Sequence, residues 1–223
     1  MKGTPGCGVG VMARAPSAPG KTRLAAHVPE MRLRALRSAL LADTLDIVSS
    51  VAGIDRFIFF TPGNAQPEIA AMAGSSFTIT PQRGDDLGDR MRSAFEDLFI
   101  VRGYESAVLV GSDIPLLTAE HVSTAQTLLH EHDVVLGPAE DGGYYLIGMR
   151  TMNPRLFDGI PWGSPSVFAE TVRAVSRLNL TTGLLGGTYD IDTVRDLELL
   201  EHDLVDLPSE VAPAVRRWFS GRS

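Results

Sequence analysis

Short apolar runs alternate with longer amphipathic segments along most of this chain. The runs that suit buried strands cover residues 9–13, 56–60, 77–80 and 107–110. Between them, apolar residues recur every three or four positions and predict helices over residues 30–52, 67–73 and 87–101. We expect the last of these helices to bury Leu87, Met91, Ala94, Phe95 and Leu98. This alternation predicts an α/β fold with a mainly parallel sheet and right-handed crossovers.

The pattern changes after residue 133. Two apolar runs, 134–137 and 144–149, are separated only by P-A-E-D-G-G, which is too short for a crossover helix, so the two strands should pair antiparallel. Ser164 followed by Pro165 predicts the start of a helix that runs to about Leu178. A strand over 182–185 and two C-terminal helices follow. We interpret residues 1–223 as one domain with a single mixed, mostly parallel sheet flanked by helices.

Composition narrows the function classes. The 223 residues carry a formal net charge of −7, which argues against non-specific binding to nucleic acid or to an anionic membrane. With a single cysteine, Cys7, no intrachain disulfide can form. The first residues lack an apolar signal-peptide core, and no apolar run reaches membrane-spanning length. We therefore expect a cytoplasmic monomer or homodimer that acts on small molecules, with no nucleic-acid or membrane partner.

Residues 107–117, A-V-L-V-G-S-D-I-P-L-L, join a buried strand to one carboxylate. Pro115 cannot continue a strand, so Asp113 is expected just beyond the strand's carboxyl end. Ligands bind at this edge of open α/β sheets. Asp is also a common turn-capping residue, and on this stretch alone both roles stay open.

A basic loop follows the first strand. Residues 15–22, A-P-S-A-P-G-K-T, nearly match the phosphate-binding loop G-x-x-x-x-G-K-[ST], but Ala15 replaces the first glycine. Two prolines also remove amides that would cradle phosphate. A P-loop phosphotransferase, with a helix starting at Lys21, is therefore the less favoured interpretation. We favour a loop whose Lys21 and Arg23 contact phosphate through their charge; a solvated basic loop is the alternative.

The segment Glu140-Asp141-Gly142-Gly143 admits two roles. Asp-Gly between two apolar runs is a hairpin-turn signal. Asp141 would instead act as a general base if its carboxylate faced an acceptor hydroxyl. We prefer the catalytic role for Asp141 and keep the turn as the alternative.

Several aromatic and histidine residues flank the two strands of the predicted hairpin. Tyr144 and Trp162 could line an acceptor pocket, whereas Tyr145 is interpreted as a core residue. His130 and His132 would point in different directions on a helix, so we interpret them as partners of a helix C-terminus rather than metal ligands.

Six motifs occur in order and together resemble a known family. They are A-R-A-P-S-A-P-G-K-T-R-L, Q-R-G-D-D-L-G-D-R-M, V-G-S-D-I-P-L-L, V-V-L-G-P-A-E-D-G-G-Y-Y-L-I-G-M, I-P-W and D-I-D-T-V-R-D-L. Over about residues 9–200 the chain resembles a bacterial glycosyltransferase-like family associated with arsenosugar biosynthesis. That family is similar to 2-phospholactate guanylyltransferases and molybdenum-cofactor nucleotidyltransferases. The chain departs from many members in a shorter basic loop and in Ile114, where they have cysteine.

The resemblance implies a GT-A-type nucleotide-diphospho-sugar transferase fold and a set of site residues. Asp113 and Asp192 match the family's metal-binding acids, and Asp190 is either a third ligand or a turn cap. The ion would be Mg²⁺ or Mn²⁺, held by carboxylate and phosphate oxygens. Gln82 and Gly84 fall in the loop that contacts the nucleotide base in related folds. The other nucleotide-binding positions are Arg14, Gly20, Ser112, Gly142 and Gly143, and the catalytic set is Asp141, Lys21 and Arg23.

Two activities use this arrangement. The leading interpretation is a metal-dependent glycosyltransferase with a nucleotide-sugar donor and a small hydroxyl acceptor, because the Glu140–Asp141 pair suits an acceptor that must lose a proton. The alternative is a guanylyltransferase-like nucleotidyltransferase that acts on an NTP and a small phosphate or carboxylate acceptor. A P-loop phosphotransferase and a non-enzymatic binding module are less favoured.

Overall fold

The computed structural model describes residues 6–221, which contain a seven-stranded sheet. Residues 1–5, part of the segment in which no signal-peptide core was found, and residues 222–223 lie outside the described residues. The strands are β1 (Cys7–Arg14), β2 (Ile54–Thr61), β3 (Thr78–Pro81), β4 (Ser106–Gly111), β5 (Val134–Pro138), β6 (Tyr144–Met149) and β7 (Thr182–Leu184). Their order across the sheet is β3-β2-β1-β4-β6-β5-β7.

The strand directions confirm the predicted mixed, mostly parallel sheet. β1 pairs in parallel with β2 and β4, β2 with β3, and β5 with β7. β6 is antiparallel to both of its neighbours, β4 and β5. All described strands except β6 therefore run in the same direction, and the short connection between β5 and β6 forms the predicted hairpin.

Within the described residues, eight α-helices connect and cover the strands. They are α1 (Thr22–Ala25), α2 (Glu30–Ser50), α3 (Gln66–Ala73), α4 (Leu87–Glu96), α5 (Ala119–Leu128), α6 (Val167–Arg177), α7 (Val194–Asp206) and α8 (Pro213–Ser220). Thr118 caps α5 through a hydrogen bond from the His121 amide, as its position before the helix predicted.

Two helix predictions need correction. The predicted helix over 87–101 is α-helical only as far as Glu96 and continues as a π-helical turn, Asp97–Val101. Its first residue, Leu87, is 48% exposed, so the prediction of its burial was wrong. Ser164 and Pro165 form a turn ahead of α6 instead of starting it, because the Phe168 amide donates to the Gly142 carbonyl at 2.8 Å and ties the start of α6 to the β5–β6 loop.

Both faces of the sheet are buried beneath helices. In β2, Ile58 and Phe60 pack on one face against a core shared with α2, α3 and α5. Phe57 and Phe59 point to the opposite face and pack in the core that includes α4 and α6. Burial of one such side chain stabilises the fold by roughly 1.5–3 kcal/mol. The uninterrupted apolar runs of the central strands are explained by this two-sided burial.

In the part of the chain that the structure describes, no helix combines the length and apolarity needed to cross a bilayer.

The common strand direction gathers distant loops at one edge of the sheet. The segments after β1, β4, β5 and β7 all leave the sheet at its carboxyl edge, as does the loop after β3. The loops that carry the predicted site residues therefore meet here, although they are far apart in sequence.

Candidate active site

One ammonium group joins the two carboxylates that were predicted to share a cation. Lys21 Nζ lies 2.9 Å from Asp113 Oδ2 and 3.5 Å from Asp192 Oδ1. It also donates to the Ile191 carbonyl at 2.5 Å. The Lys21 side chain is 4% exposed, whereas Asp113 and Asp192 remain 47% and 44% exposed. The two acids thus converge on one point, with lysine on the buried side and solvent on the other.

Backbone contacts bring the two acidic loops together. The Ile191 amide donates to the Asp113 carbonyl at 3.3 Å, which fixes the loop after β7 against the loop after β4. Asp192 directly precedes the N-cap of α7, where the Asp196 carboxylate accepts from the amides of Asp192 at 2.9 Å and Thr193 at 2.6 Å. Capping of α7 therefore also holds Asp192 in place.

A hydroxyl group and further carboxylates surround Asp113 and Asp192. The Ser112 hydroxyl, which is buried, donates to Asp113 Oδ1 at 3.4 Å, so this predicted nucleotide-binding residue orients an acid. Burial, together with the carboxylates of Asp192 and Asp141, raises the pKa of Asp190 to about 6. The site thus concentrates several carboxylates around a single ammonium group.

Two arginine side chains hold the basic loop in place by donating hydrogen bonds to its backbone carbonyl groups. Arg14 donates to the Pro19 carbonyl at 3.2 Å, and Arg37 donates to the Gly20 carbonyl at 3.3 Å. Lys21 has a left-handed backbone (φ 53°) and precedes α1, which is only four residues long. These contacts and the carboxylate partners of Lys21 do not support the P-loop interpretation, in which amides and lysine are directed at phosphate. Arg23 is exposed on α1 at the same edge.

The predicted phosphate contact of Lys21 stays a prediction, and its ammonium has protein partners in the structure. The ammonium donates to Asp113 and to the Ile191 carbonyl and lies 3.5 Å from Asp192, so a phosphate contact would compete with these partners. A spacing of residue types along the sequence cannot show such pairing, because its partners lie more than 90 residues away.

Gln82 and Gly84 lie in the loop between β3 and α4, where both support the fold, and their contact with a nucleotide base stays a prediction. Gln82 Nε2 donates to the carbonyls of Phe59 at 2.8 Å and Ala13 at 3.3 Å, which leaves the amide oxygen for a ligand. Gly84 has φ +126°, and a Cβ there would lie 2.4 Å from Asp89 Cβ. Glycine is therefore required for the loop to fold back on α4.

The Glu140–Gly143 segment forms the turn between β5 and β6. Asp141 Oδ1 accepts from the Gly143 amide at 2.8 Å and closes the turn. Gly142 has φ +88°, and a Cβ there would lie 2.0 Å from the Pro165 carbonyl oxygen. The structure therefore gives Asp141, Gly142 and Gly143 a turn-forming role. The Asp141 carboxylate is also among the charges that raise the pKa of Asp190.

The aromatic residues near the site are mainly packing groups. Tyr145 is buried, as expected, and its hydroxyl donates to the Gly186 carbonyl at 3.0 Å. The Trp162 ring packs against Gly88, where a Cβ would lie 2.1 Å from the indole nitrogen. Tyr144 packs with the core that includes Met91.

Sequence reasoning missed Arg37, a buried residue that contacts the basic loop. A signal for it was present, because position 37 is four residues from both Leu33 and Leu41 and therefore falls on the apolar side of α2. A charged residue at such a position is rarely buried without partners.

Comparison with known proteins places this geometry in a family. The sequence model described as "Uncharacterized protein conserved in bacteria (DUF2064)" matches residues 44–164, more than half of the chain. The chain belongs to the DUF2064 family. The matched region contains Asp113 and the β5–β6 hairpin, whereas Lys21 and Asp192 lie on either side of it.

Named relatives of this DUF2064 protein are transferases. A 3-phospho-D-glycerate guanylyltransferase of Phenylobacterium zucineum (strain HLK1) is 34% identical over 137 residues, 60% of this chain and 62% of that protein, slightly under two thirds of its length. A phosphoenolpyruvate guanylyltransferase of Sphaerobacter thermophilus (strain ATCC 49802 / DSM 20745 / KCCM 41009 / NCIMB 13125 / S 6022) is 29% identical over 183 residues, 81% of this chain and 86% of that protein.

A solved structure gives the fold comparison. A Desulfovibrio desulfuricans G20 protein described as a nucleotide-diphospho-sugar transferase is 34% identical, with a TM-score of 0.87 over 95% of this chain and 94% of the other. The predicted GT-A-type fold is confirmed. The named relatives belong to the predicted enzyme class, the transferases. The association with arsenosugar biosynthesis has no counterpart in these comparisons and stays a prediction.

Proposed function

We propose that this DUF2064 protein is a metal-dependent nucleotidyltransferase, built as one domain, that joins a nucleoside monophosphate from an NTP to a small phosphorylated acceptor. The observation that carries the proposal is the convergence of Asp113 and Asp192 on one point at the carboxyl edge of the sheet. This choice reverses the order of the two activities derived from the sequence, because the named relatives are guanylyltransferases.

The acids suit a divalent cation. Each contacts Lys21 through one oxygen, and nearly half of each side chain is exposed. Within residues 6–221, no three His, Cys, Asp or Glu side chains are grouped closely enough to hold a metal ion by themselves. Mg²⁺ is commonly held by one or two carboxylates together with substrate phosphates, and this site offers two. When bound, the ion would neutralise charge on the nucleotide phosphates.

The residues of the chain suit an acceptor that is already ionised. In nucleotidyl transfer, an acceptor phosphate oxygen forms a bond to the α-phosphorus, the bond from this phosphorus to the bridging oxygen of the β-phosphate breaks, and pyrophosphate leaves with the electron pair. An ionised phosphate needs no general base. This agrees with Asp141, whose carboxylate closes its own turn. A hydroxyl acceptor would instead require a base.

Positive groups at the same edge would bind the anions. Arg14 and Arg23 are both exposed there and carry fixed charges that can contact nucleotide or acceptor phosphate. Lys21 contributes from the buried side by holding the two acids in register. Among donors we propose GTP, and among acceptors a small phosphorylated carboxylic acid, since the named relatives are guanylyltransferases of phosphoenolpyruvate and 3-phosphoglycerate.

Pyrophosphate release tests the proposal. The purified protein with Mg²⁺ is incubated with each of the four NTPs and with phosphoenolpyruvate or 3-phosphoglycerate. We expect acceptor-dependent pyrophosphate release that is fastest with GTP. Release of a nucleoside diphosphate from UDP-glucose or another nucleotide-sugar, with no pyrophosphate from any NTP, would favour glycosyl transfer instead.

Matched variants connect the activity to the acids. Asp113→Asn and Asp192→Asn should each lower the rate by about 10²-fold or more, because they remove charge that acts on the transferring phosphoryl group. Asp46→Asn removes an exposed carboxylate on α2, away from the site, and should leave the rate unchanged. Equal activity of Asp113→Asn and the wild type would contradict the proposed site.

A further inference from the structure

A buried arginine on α2 supports the basic loop from within the protein. Arg37 is 6% exposed. Its Nε donates to the Pro16 carbonyl at 2.9 Å, and its Nη1 donates to the Gly20 carbonyl at 3.3 Å. The exposed Glu30 pairs with Nη2. All three guanidinium nitrogens thus have an acceptor, and two of these acceptors belong to one loop.

The contact with Gly20 acts on the backbone of the next residue. Lys21 has φ 53° and ψ 50°, a left-handed conformation that a residue with a side chain adopts only when its surroundings enforce it. The peptide group before Lys21 is held by Arg37. The peptide group after it is held at the Lys21 carbonyl, which accepts from the amides of Leu24 and Ala25 at 3.0 Å each.

The backbone at Lys21 sets the direction of its side chain. From this left-handed position the side chain runs inward, and its ammonium reaches the carboxylates of Asp113 and Asp192. A rotation of the Gly20–Lys21 peptide would move the Cβ and redirect the ammonium. The contacts therefore form a chain from Arg37 through the Gly20 carbonyl and Lys21 to the carboxylates of Asp113 and Asp192.

We propose that Arg37 is a positioning residue that fixes the Lys21 ammonium between Asp113 and Asp192. Its consequence for catalysis rests on the nucleotidyl-transfer function proposed above. The planar guanidinium reaches two carbonyls in fixed directions at once, which a lysine ammonium at the same position cannot reproduce. Arg37 acts through Lys21 and contacts neither of the two acids.

The lysine content of the chain makes this proposal directly measurable. The sequence holds only two lysines, Lys2 and Lys21, so protein made with ¹⁵Nζ-labelled lysine has two side-chain ammonium groups to observe. A buried ammonium that donates to Asp113 and to the Ile191 carbonyl and pairs with Asp192 is expected to exchange its protons slowly enough to give a ¹H–¹⁵N correlation signal. We expect a Lys21 signal in the wild type, assigned through its absence in Lys21→Met, and loss of that signal in Arg37→Lys. Arg37→Lys and Arg56→Lys each add one labelled ammonium, whose signal is identified by combining the variant with Lys21→Met.

Arg56→Lys is the matched control. Arg56, on β2, also donates to backbone carbonyls, those of Val48 at 3.1 Å, Ser49 at 3.0 Å and Val51 at 2.7 Å, at the far end of α2. Its replacement should lower the melting temperature but keep the Lys21 signal. The proposal is overturned if the wild type shows no Lys21 signal, if Arg37→Lys keeps it, or if both variants lose it alike.

A second variant covers the case in which Arg37→Lys does not fold. The double variant Glu30→Gln with Arg37→Met removes both charges of the ion pair and replaces the buried stem with an apolar side chain, which folds tolerate better than one unpaired charge. Loss of the Lys21 signal in this variant supports the proposal, and its retention overturns it.

GTP binding, measured in parallel, separates this inference from the proposed function. If the wild type binds GTP with Mg²⁺, Arg37→Lys should bind it about tenfold more weakly, and Arg56→Lys should bind it normally. If the Lys21 signal responds to Arg37→Lys but GTP does not bind the wild type, the proposed function fails and the positioning role stands. If the signal does not respond, the positioning role fails whatever the result with GTP.

Discussion

Two carboxylate sites lie at opposite edges of the same sheet and differ in the number of positive and hydrogen-bond-donating groups available to each carboxylate. At the amino edge, Asp133 just precedes β5, and its Oδ2 accepts from the Thr181 amide at 2.9 Å and the Thr181 hydroxyl at 2.8 Å. Arg150 pairs with the other oxygen. One carboxylate therefore has three donors, and these hydrogen bonds lower the pKa of Asp133.

At the carboxyl edge the ratio of carboxylates to donor groups is reversed. One ammonium, Lys21, is shared between Asp113 and Asp192, and the nearby Asp190 has its pKa raised to about 6 by burial and by adjacent carboxylates. At the amino edge, one fully hydrogen-bonded carboxylate holds the ends of β5, β6 and β7 together. At the carboxyl edge, the carboxylates outnumber the ammonium group that they contact. Of these two sites, only the one at the carboxyl edge has carboxylate charge that is not balanced by a neighbouring cation, and we place the proposed metal there.

Removing the positively charged side chain from each of the two sites gives the largest expected difference in reaction rate. Lys21→Met should lower the rate of pyrophosphate release by about 10²-fold, because the acids lose the group that holds them together. Its free energy of unfolding should fall by only about 1 kcal/mol or less, since both acids remain partly solvated. Arg150→Met should lower stability by a similar amount and leave the rate of the folded enzyme unchanged. Steady-state rates and urea unfolding of both variants measure the contrast.

The pH dependence of stability tests the role of the Asp133 carboxylate at the amino edge. Asp133→Asn should lower the free energy of unfolding at pH 7 by about 1–3 kcal/mol, as expected for hydrogen bonds to a charged group. The folded pKa of Asp133 lies below its unfolded value of about 3.9, so its stabilisation is present above that value and is lost as the pH falls through the folded pKa. Urea unfolding at several pH values should show the difference from wild type shrinking in acid.

The control for this titration is Asp46→Asn, an exposed position on α2. Its free energy of unfolding should stay within about 0.5 kcal/mol of the wild type at every pH. A difference for Asp133→Asn that stays constant from neutral to acid pH would show that its ionised carboxylate is not the stabilising group.

The smallest expected effect is the difference between replacing two helix-capping threonines. Thr118 and Thr193 each cap a helix, and each belongs to a reciprocal capping box. Replacement of either by alanine should cost about 1 kcal/mol of stability. Only Thr193→Ala should also weaken Mg²⁺-dependent GTP binding, by a few-fold, because the box with Asp196 holds Asp192. Equal GTP affinities for the two variants would show that the α7 cap does not position the site.

Much of the fold could be predicted from local sequence. The apolar run before Asp113 placed this carboxylate beyond the end of β4, and the short connection before Tyr144 predicted the antiparallel hairpin. The start of α6 was wrong, because a tertiary hydrogen bond between Phe168 and Gly142 overrides the Ser-Pro signal. The π-helical turn after Glu96 was also missed, since its residues continue the same apolar periodicity.

The site was only partly predictable for the same reason. Asp113 was located by the apolar run before it and Asp192 by motif resemblance, but the pairing of both with Lys21 depends on how three loops meet. The catalytic role predicted for Asp141 from its place in the hairpin stays a prediction, and the structure shows its carboxylate closing the turn, the alternative that the sequence left open. Arg37 carries no motif, and its function is visible only once α2 is packed against the basic loop.

Mn²⁺ binding in the presence of GTP tests most directly whether the two acids form one cation site. Calorimetric titration of the wild type, Asp113→Asn, Asp192→Asn and Asp46→Asn supplies the comparison. We expect Asp113→Asn and Asp192→Asn each to weaken Mn²⁺ binding at least tenfold, about 1.4 kcal/mol, with Asp46→Asn unchanged. Wild-type affinity in either of the first two variants would contradict the shared site.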